Sequence, residues 1–333
     1  MEQRANVDDV RYQPTKLAPI LTDDSFWSHR VPELDDSEIY QSVLECLQTG
    51  VYLVDRTRRI RFWNEGAERI TGYLRQDVVG HFLRDHLLTT TNETKDLDSD
   101  PTDPINLVFR DGKPSVTDVS ILHKEGYRVP IVLRTIPIRN SRGMVVGAAE
   151  SFDKNLSASD WTRRQAGFAD FGCLDEVTGV PAQNFMETQL RENLTTFAEH
   201  NIPFGILVIQ VDRMDQNRSS RGPGVVPTIL RVVAQTVENC LRPTDLMGCW
   251  SENQFLAVLM ECKESEVVRV GERVRKMVGQ SEIEWWGDTF TVAGAFGGAG
   301  SRVGDTLELL VDRAEKSLQE SIARGGDCVT VLE

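Results

Sequence analysis

The stretch Arg242-Pro243-Thr244-Asp245 brings together two residue types that can hold an anionic, nitrogen-rich ligand. A guanidinium is planar and pairs two-pronged with phosphate oxygens, and a carboxylate accepts from N–H donors. The plain alternative is an exposed Arg–Asp ion pair at a helix end, worth little in water.

Other chemistry-bearing groups are weaker. Asp96, Asp98 and Asp100 have the alternating spacing of a calcium loop, but Pro101 stands where the turn needs glycine and Leu107 where a bidentate glutamate is needed. That segment reads as a solvated acidic loop. His81 and His86, the possible axial haem ligands, fall beside polar segments and read as surface histidines, while His123 falls in the turn HKEG. The glycine-rich GAFGGAG (294–300) lacks the G-x-G-x-x-G spacing before a helix, and reads as a tight exit from a strand. Six cysteines are scattered with no C-x-x-C pair, so neither zinc nor a disulfide framework is expected. No cofactor or metal is named by the sequence.

The 333 residues are enough for two domains with real cores, and 40% hydrophobic with 26% charged residues is ordinary globular composition. A net charge of −14 opposes nucleic acid and anionic membranes as partners. No apolar run approaches the roughly 20 residues that span a bilayer, and the acidic N-terminus has no apolar signal core. The expected location is the cytoplasm.

Residues 1–37 are polar and aperiodic, with Pro14, Pro19 and Pro32, and read as a flexible extension. A helix follows from near Asp36, with Ile39, Val43, Leu44 and Leu47 on one side. Five strands are then expected: GVYLVD, RIRFWN, PSVTDVSILHKEG, YRVPIVLRTIPIRN and GMVVGAAESFDK, with a short helix at EGAERITGY and Trp63 in the core. Residues 155–173 read as a helical connector in which Trp161 and Phe168 stand seven apart. Beyond it, helices and buried strands alternate. Helices are expected over FMETQLRENLTTFAEH, Val225–Cys240, Glu266–Val278 and Thr306–Ala323, and strands over FGILVIQV, Phe255–Met260 and Phe290–Phe296.

WNEGAERITGY, VVGH and HKEGYRVPIVLRTIPIRNSRGMVVGAAESF together resemble a PAS sensor domain over residues 38–154. The resemblance implies sensing or dimerisation and leaves the ligand open. LDEVTGV, ILVIQVDRMDQN, CWSENQF and DRAEKSLQESIARGG, in register, resemble the GGDEF or diguanylate cyclase domain over residues 174–333. The fold class expected is therefore α+β: a five-stranded antiparallel PAS sheet with short helices, then a GGDEF-like α/β domain with a central sheet flanked by helices.

A diguanylate cyclase joins two GTP molecules, each 3′-hydroxyl attacking the other's α-phosphate, with divalent cations held on carboxylates. By this resemblance, the metal aspartate falls at Gln210 and the acidic pair of the signature at Asn253 and Gln254. The glycine pair falls at Ser251 and Glu252, the guanine-binding asparagine and aspartate at Arg218 and Pro227, and the phosphate-binding lysine at Ile322. Neutral amides attract Mg²⁺ far less than carboxylates do, and Glu252 adds negative charge beside the triphosphate. Asp212 alone remains near the metal position. The family also carries an R-x-x-D product site for cyclic di-GMP, matched here by Arg242, Asp245 and Arg273, with Arg242 and Asp245 expected at the surface. Three readings stay open. The first is a bacterial signalling protein whose inactive cyclase domain is a cyclic di-GMP receptor. The second is a PAS-driven dimerisation scaffold serving a protein effector. The third is an unorthodox active cyclase.

Overall fold

The structure, a computed structural model, describes residues 36–82, 88–89, 103–154 and 173–332. The expected N-terminal extension as far as residue 35, His86, the acidic loop as far as residue 102 and the connector over 155–172 lie outside the described residues. Helix α1 (Asp36–Cys46) begins where the sequence places it.

The first sheet contains the five expected strands, β1 (Gly50–Asp55), β2 (Ile60–Trp63), β4 (Ser115–Leu122), β5 (Arg128–Arg139) and β6 (Val145–Lys154), with a two-residue strand β3 (Leu88–Thr89) at one edge. The order is β2-β1-β6-β5-β4-β3, and every pairing is antiparallel. Helices α2 (Glu65–Thr71), α3 (Arg75–Val78) and α4 (Pro104–Asp111) accompany it. Asn64 starts α2 by accepting from the Ala67 N–H, and the same oxygen accepts from Val51 N–H at 2.8 Å. Trp63, Tyr52 and Phe152 fill the core as one aromatic cluster.

The C-terminal half runs α5 (Gln183–His200), β7 (Phe204–Val211), α6 (Met214–Arg221), α7 (Val225–Cys240), β8 (Leu246–Ser251), β9 (Gln254–Met260), α8 (Glu264–Gly279), β10 (Glu282–Trp285), β11 (Asp288–Thr291), β12 (Gly294–Gly300), α9 (Leu307–Ala323) and β13 (Val329–Val331). Five strands form a sheet in the order β13-β12-β7-β9-β8, while β10 and β11 make a separate hairpin. Strand β7 is buried along nearly its whole length, as its unbroken apolar run requires.

Two expectations need correction here. The strand expected over Phe290–Phe296 is two strands, because Phe290 pairs with β10 whereas Gly294 onward pairs with β7 in the main sheet. GAFGGAG is not a strand exit but the fully buried strand β12. A Cβ on Gly297 would lie 2.2 Å from Leu318 N and 2.4 Å from Ala314 O, so only glycine lets α9 lie this close to the sheet.

Helix α7 buries more than one stripe: Ile229, Val232, Val233 and Thr236 are inward as expected, and Leu230, Ala234 and Val237 are buried too. The reason is a second neighbour, since β5 of the first sheet packs on the same helix. Arg128, at the start of β5, is 1% exposed and ties this junction together. Its Nε donates to the Gln280 carbonyl at 2.7 Å, at the C-terminal end of α8. Its N–H donates to Thr236 Oγ1 at 3.2 Å, and its carbonyl accepts from Asn239 Nδ2 at 3.3 Å. One turn earlier Gly126, at φ 92°, accepts from the Glu282 N–H at 3.0 Å; a Cβ there would sit 2.0 Å from the Glu282 carbonyl oxygen. Burial lowers the Arg128 pKa to about 10, so the group stays charged at neutral pH.

Arg128→Ala strands the Gln280 carbonyl and is expected to lower the unfolding free energy by about 1.5–3 kcal/mol. Arg61→Ala, which breaks an exposed pair with Asp55, should change it by less than about 0.5 kcal/mol. Urea unfolding of the two variants checks the contrast.

Candidate functional site

The end of β7 and the β8–β9 turn form one cleft of about 330 Å³ lined by Gln210, Asp212, Asp215, Arg218, Glu252 and Asn253. Strand pairing sets Gln210 opposite Gln254. The Gln254 amide nitrogen donates to Gln210 Oε1 at 3.2 Å, and Gln254 Oε1 accepts from Ser251 Oγ at 3.0 Å. Two carboxylates facing each other in this register would repel unless a cation lay between them. Two amides satisfy one another directly. Asn253 turns its carbonyl to the Val211 N–H at 3.0 Å.

Across the cleft, Arg218 Nη2 meets Glu252 Oε1 at 2.8 Å, and Arg218 also lies 3.9 Å from Asp215. Both residues were legible as changed positions, but their pairing was not, since α6 and the turn lie 34 residues apart. Burial pushes the Asp212 carboxyl upward, Arg213 opposes this, and Asp327 adds to it. The other two positions that the resemblance compares are apolar here. Pro227 sits in the first turn of α7, where its missing N–H is tolerated, and Ile322 packs against the core under α9.

The second site lies at the C-terminal end of α7. Arg273 Nη2 donates to the Cys240 carbonyl at 2.6 Å, and its charge acts on Asp245 together with that of Arg242. Arg242 and Arg269 both act on the neighbouring Cys262 thiol. The structure therefore brings Arg242, Asp245, Arg273 and Arg269 into one neighbourhood. The expectation that Asp245 is at the surface is corrected: it is 6% exposed. Its Oδ2 accepts from the Arg242 N–H at 3.0 Å and its Oδ1 from the Met260 N–H at 3.1 Å. Burial raises its pKa, and these two hydrogen bonds and the arginines lower it again. The plain ion-pair alternative is not what forms. Arg242 is exposed, and among the described residues no ion pair or side-chain hydrogen bond holds its guanidinium.

The family model described as "Diguanylate cyclase, GGDEF domain" matches residues 173–328, and the model described as "PAS fold" matches residues 38–150. The chain carries a PAS domain followed by a GGDEF domain. Diguanylate cyclase A of Treponema denticola is 26% identical over 161 residues, 47% of this chain and 43% of that protein. Diguanylate cyclase DosC of Escherichia coli is 23% identical over 205 residues, 61% of this chain and 42% of that protein. The chain thus spans less than half the length of these relatives. A solved structure of the GGDEF domain of DgcB from Caulobacter crescentus in complex with c-di-GMP is 17% identical, covers 48% of this chain and 95% of that chain, and gives a TM-score of 0.47. No described helix is long and apolar enough to cross a membrane.

The PAS domain has a buried polar centre that the sequence did not signal. Glu150 is 1% exposed, and it accepts from the Tyr52 hydroxyl and from Thr135 Oγ1 at 2.6 Å. Nearby, Arg58 pairs with Asp103 at 2.7 Å, both buried. His123 is buried as well, stacked on Tyr127 at 4.1 Å, and burial lowers its pKa to about 4. His81 is exposed, as expected.

Two predictions follow from these environments. Burial pushes the Glu150 carboxyl from 4.5 to about 7, against the pull of its two hydrogen bonds. A folded pKa above the unfolded one contributes stability that is complete below pH 4.5 and is lost as pH rises through 7. Buried Glu238, raised to about 8, acts in the same direction. Glu150→Gln should therefore flatten part of the fall in melting temperature across that window. At the second site, Asp245→Ala orphans two backbone donors and should destabilise the fold by about 1–3 kcal/mol. Arg242→Ala should leave stability within about 0.5 kcal/mol of the parent, as equilibrium unfolding can measure.

Proposed function

We propose that this PAS–GGDEF signalling protein has lost the cyclase reaction and acts as a receptor for cyclic di-GMP through Arg242, Asp245 and Arg273. The observation that carries the reading is the contrast between the two sites. In the cleft, Gln210 and Gln254 bond to each other, and Arg218 and Glu252 pair across the mouth. Of the charged groups in the cleft, Arg218 is paired with Glu252 and lies near Asp215, and Asp212 is left as a lone carboxylate where a two-metal centre needs several. At the end of α7 the Arg242 guanidinium is open, beside Arg273 and Arg269. Charge-assisted, two-pronged contacts to a phosphodiester need that arrangement.

In this reading Asp245 holds the loop, and the arginines meet the ligand. Gln210, Asn253 and Gln254 cannot replace carboxylates around two cations, so the attacking hydroxyl and the α-phosphate have nothing to align or neutralise them. The PAS domain supplies the input, and a protein effector the output.

A second reading has its own support. Helix α1 exposes Ile39, Tyr40 and Val43 at 41%, 68% and 56%, an apolar face suited to a second copy. A dimerisation scaffold without nucleotide binding would use that face alone.

The purified protein with GTP and Mg²⁺ or Mn²⁺ is expected to form no cyclic di-GMP; product above a no-protein control rejects the loss of activity. Added cyclic di-GMP should stabilise the fold by about 2.7 kcal/mol at a hundredfold excess over its Kd. Arg242→Ala should remove that gain, and a substitution at Gln210 should keep it. A gain that survives Arg242→Ala rejects the site, and no gain in the parent protein favours the scaffold.

A further inference from the structure

A cleft of about 770 Å³ lies between the PAS domain and the GGDEF domain. Its walls are the β4–β5 turn, the outer face of α7 and the β10–β11 hairpin. Neither the cyclase cleft nor the R-x-x-D loop contributes to it.

Trp286 stands at the mouth, 93% exposed. Trp285 pairs with Asp288, so Trp286 and Gly287 form a two-residue hairpin turn, and both have positive φ, 52° and 83°. Such a turn prefers Asn-Gly or Asp-Gly. A bulky residue in the left-handed region is strained there. Folding gains nothing from this ring, since it is exposed and its backbone disfavoured. A strained, exposed aromatic group at a cleft is the kind of outlier from which a function is inferred.

The hairpin that carries Trp286 is anchored to the domain. Trp285 Nε1 donates to the Arg221 carbonyl at 3.1 Å. Arg221 pairs with Asp288 at 3.0 Å and lies over the Phe290 ring at 4.1 Å. Behind the indole the cleft has an apolar floor of Tyr127, Val232 and Ile283, all buried. Lys124 and Arg231 line one part of it, and neither has an ion-pair partner among the described residues. Glu125 and Glu284 also face the cleft.

We propose that this cleft is a second ligand site that takes a purine nucleotide, the base stacked on Trp286 and the phosphate held by Arg231 and Lys124. An indole face stacks on a planar base. Two free cations suit a phosphate. The exposed carboxylates Glu125 and Glu284 accept from the amino N–H groups of a purine, which an aliphatic or purely anionic ligand lacks. The volume lies within the range of small-molecule sites. Because the walls belong to both domains, the ligand spans the junction that Arg128 closes. The inference does not rest on cyclic di-GMP binding at Arg242.

Isothermal calorimetry on the full chain with GMP and with AMP tests it. At least one is expected to bind. Trp286→Asn restores the preferred turn sequence, so its melting temperature should equal or exceed that of the parent while affinity falls by about fivefold or more. Arg231→Ala should weaken binding about tenfold or more. Arg242→Ala should leave it unchanged. The proposal is overturned if neither nucleotide binds at millimolar concentration, if Trp286→Asn binds as the parent does, or if Arg242→Ala abolishes binding. It is also overturned if Trp286→Asn melts lower than the parent, since the ring would then serve the fold.

Discussion

A buried guanidinium, that of Arg128, is the constraint around which the two domains are arranged. A charge removed from water must find oxygen, and this one finds the carbonyl at the end of α8. Its backbone meanwhile bonds to Thr236 and Asn239 on α7. Moving the first sheet away from either helix would strand a charge and several backbone groups together. The close approach at Gly126 adds a steric requirement at the same place, since no other residue fits against the Glu282 carbonyl. Helix α7 consequently serves three places along its length. Its first turn borders the cyclase cleft, its middle lines the interdomain cleft, and its last turn ends at the loop that carries Arg242.

The cleft at the end of β7 shows how strand register and side-chain chemistry meet. Register places Gln210 against Gln254 whatever side chains stand there. The chain Ser251–Gln254–Gln210 satisfies that register with hydrogen bonds alone. Arg218 and Glu252 compensate each other as a pair. Positions that stand apart along the sequence are joined in space.

Much of this was legible beforehand, for a physical reason. Strands buried on both faces read as apolar runs, and helices read by their 3.6-residue period, so β7, β9, α5, α7 and α9 declare themselves. Strand β8 did not, because LMGCWS is short and mixed, nor did the hairpin, which is half exposed. The glycines of β12 misled because a missing side chain looks the same in a loop as beneath a closely packed helix; only Ala314 and Leu318 distinguish the two cases. The residues of the proposed R-x-x-D site can be picked out by type and spacing. Their division of labour was not, since burial depends on neighbours distant in sequence, here Met260.

That division makes physical sense of the loop. Asp245 uses both carboxylate oxygens on backbone donors, one of them the N–H of Arg242 itself. The backbone of Arg242 is thereby fixed while its side chain is left free. Arg273 is anchored in a similar way, by one guanidinium nitrogen on the Cys240 carbonyl. In the proposed receptor an anion would meet guanidinium groups whose attachment points are already ordered, so less conformational entropy would be lost on binding. What the structure gives this aspartate is a hold on the backbone of Arg242.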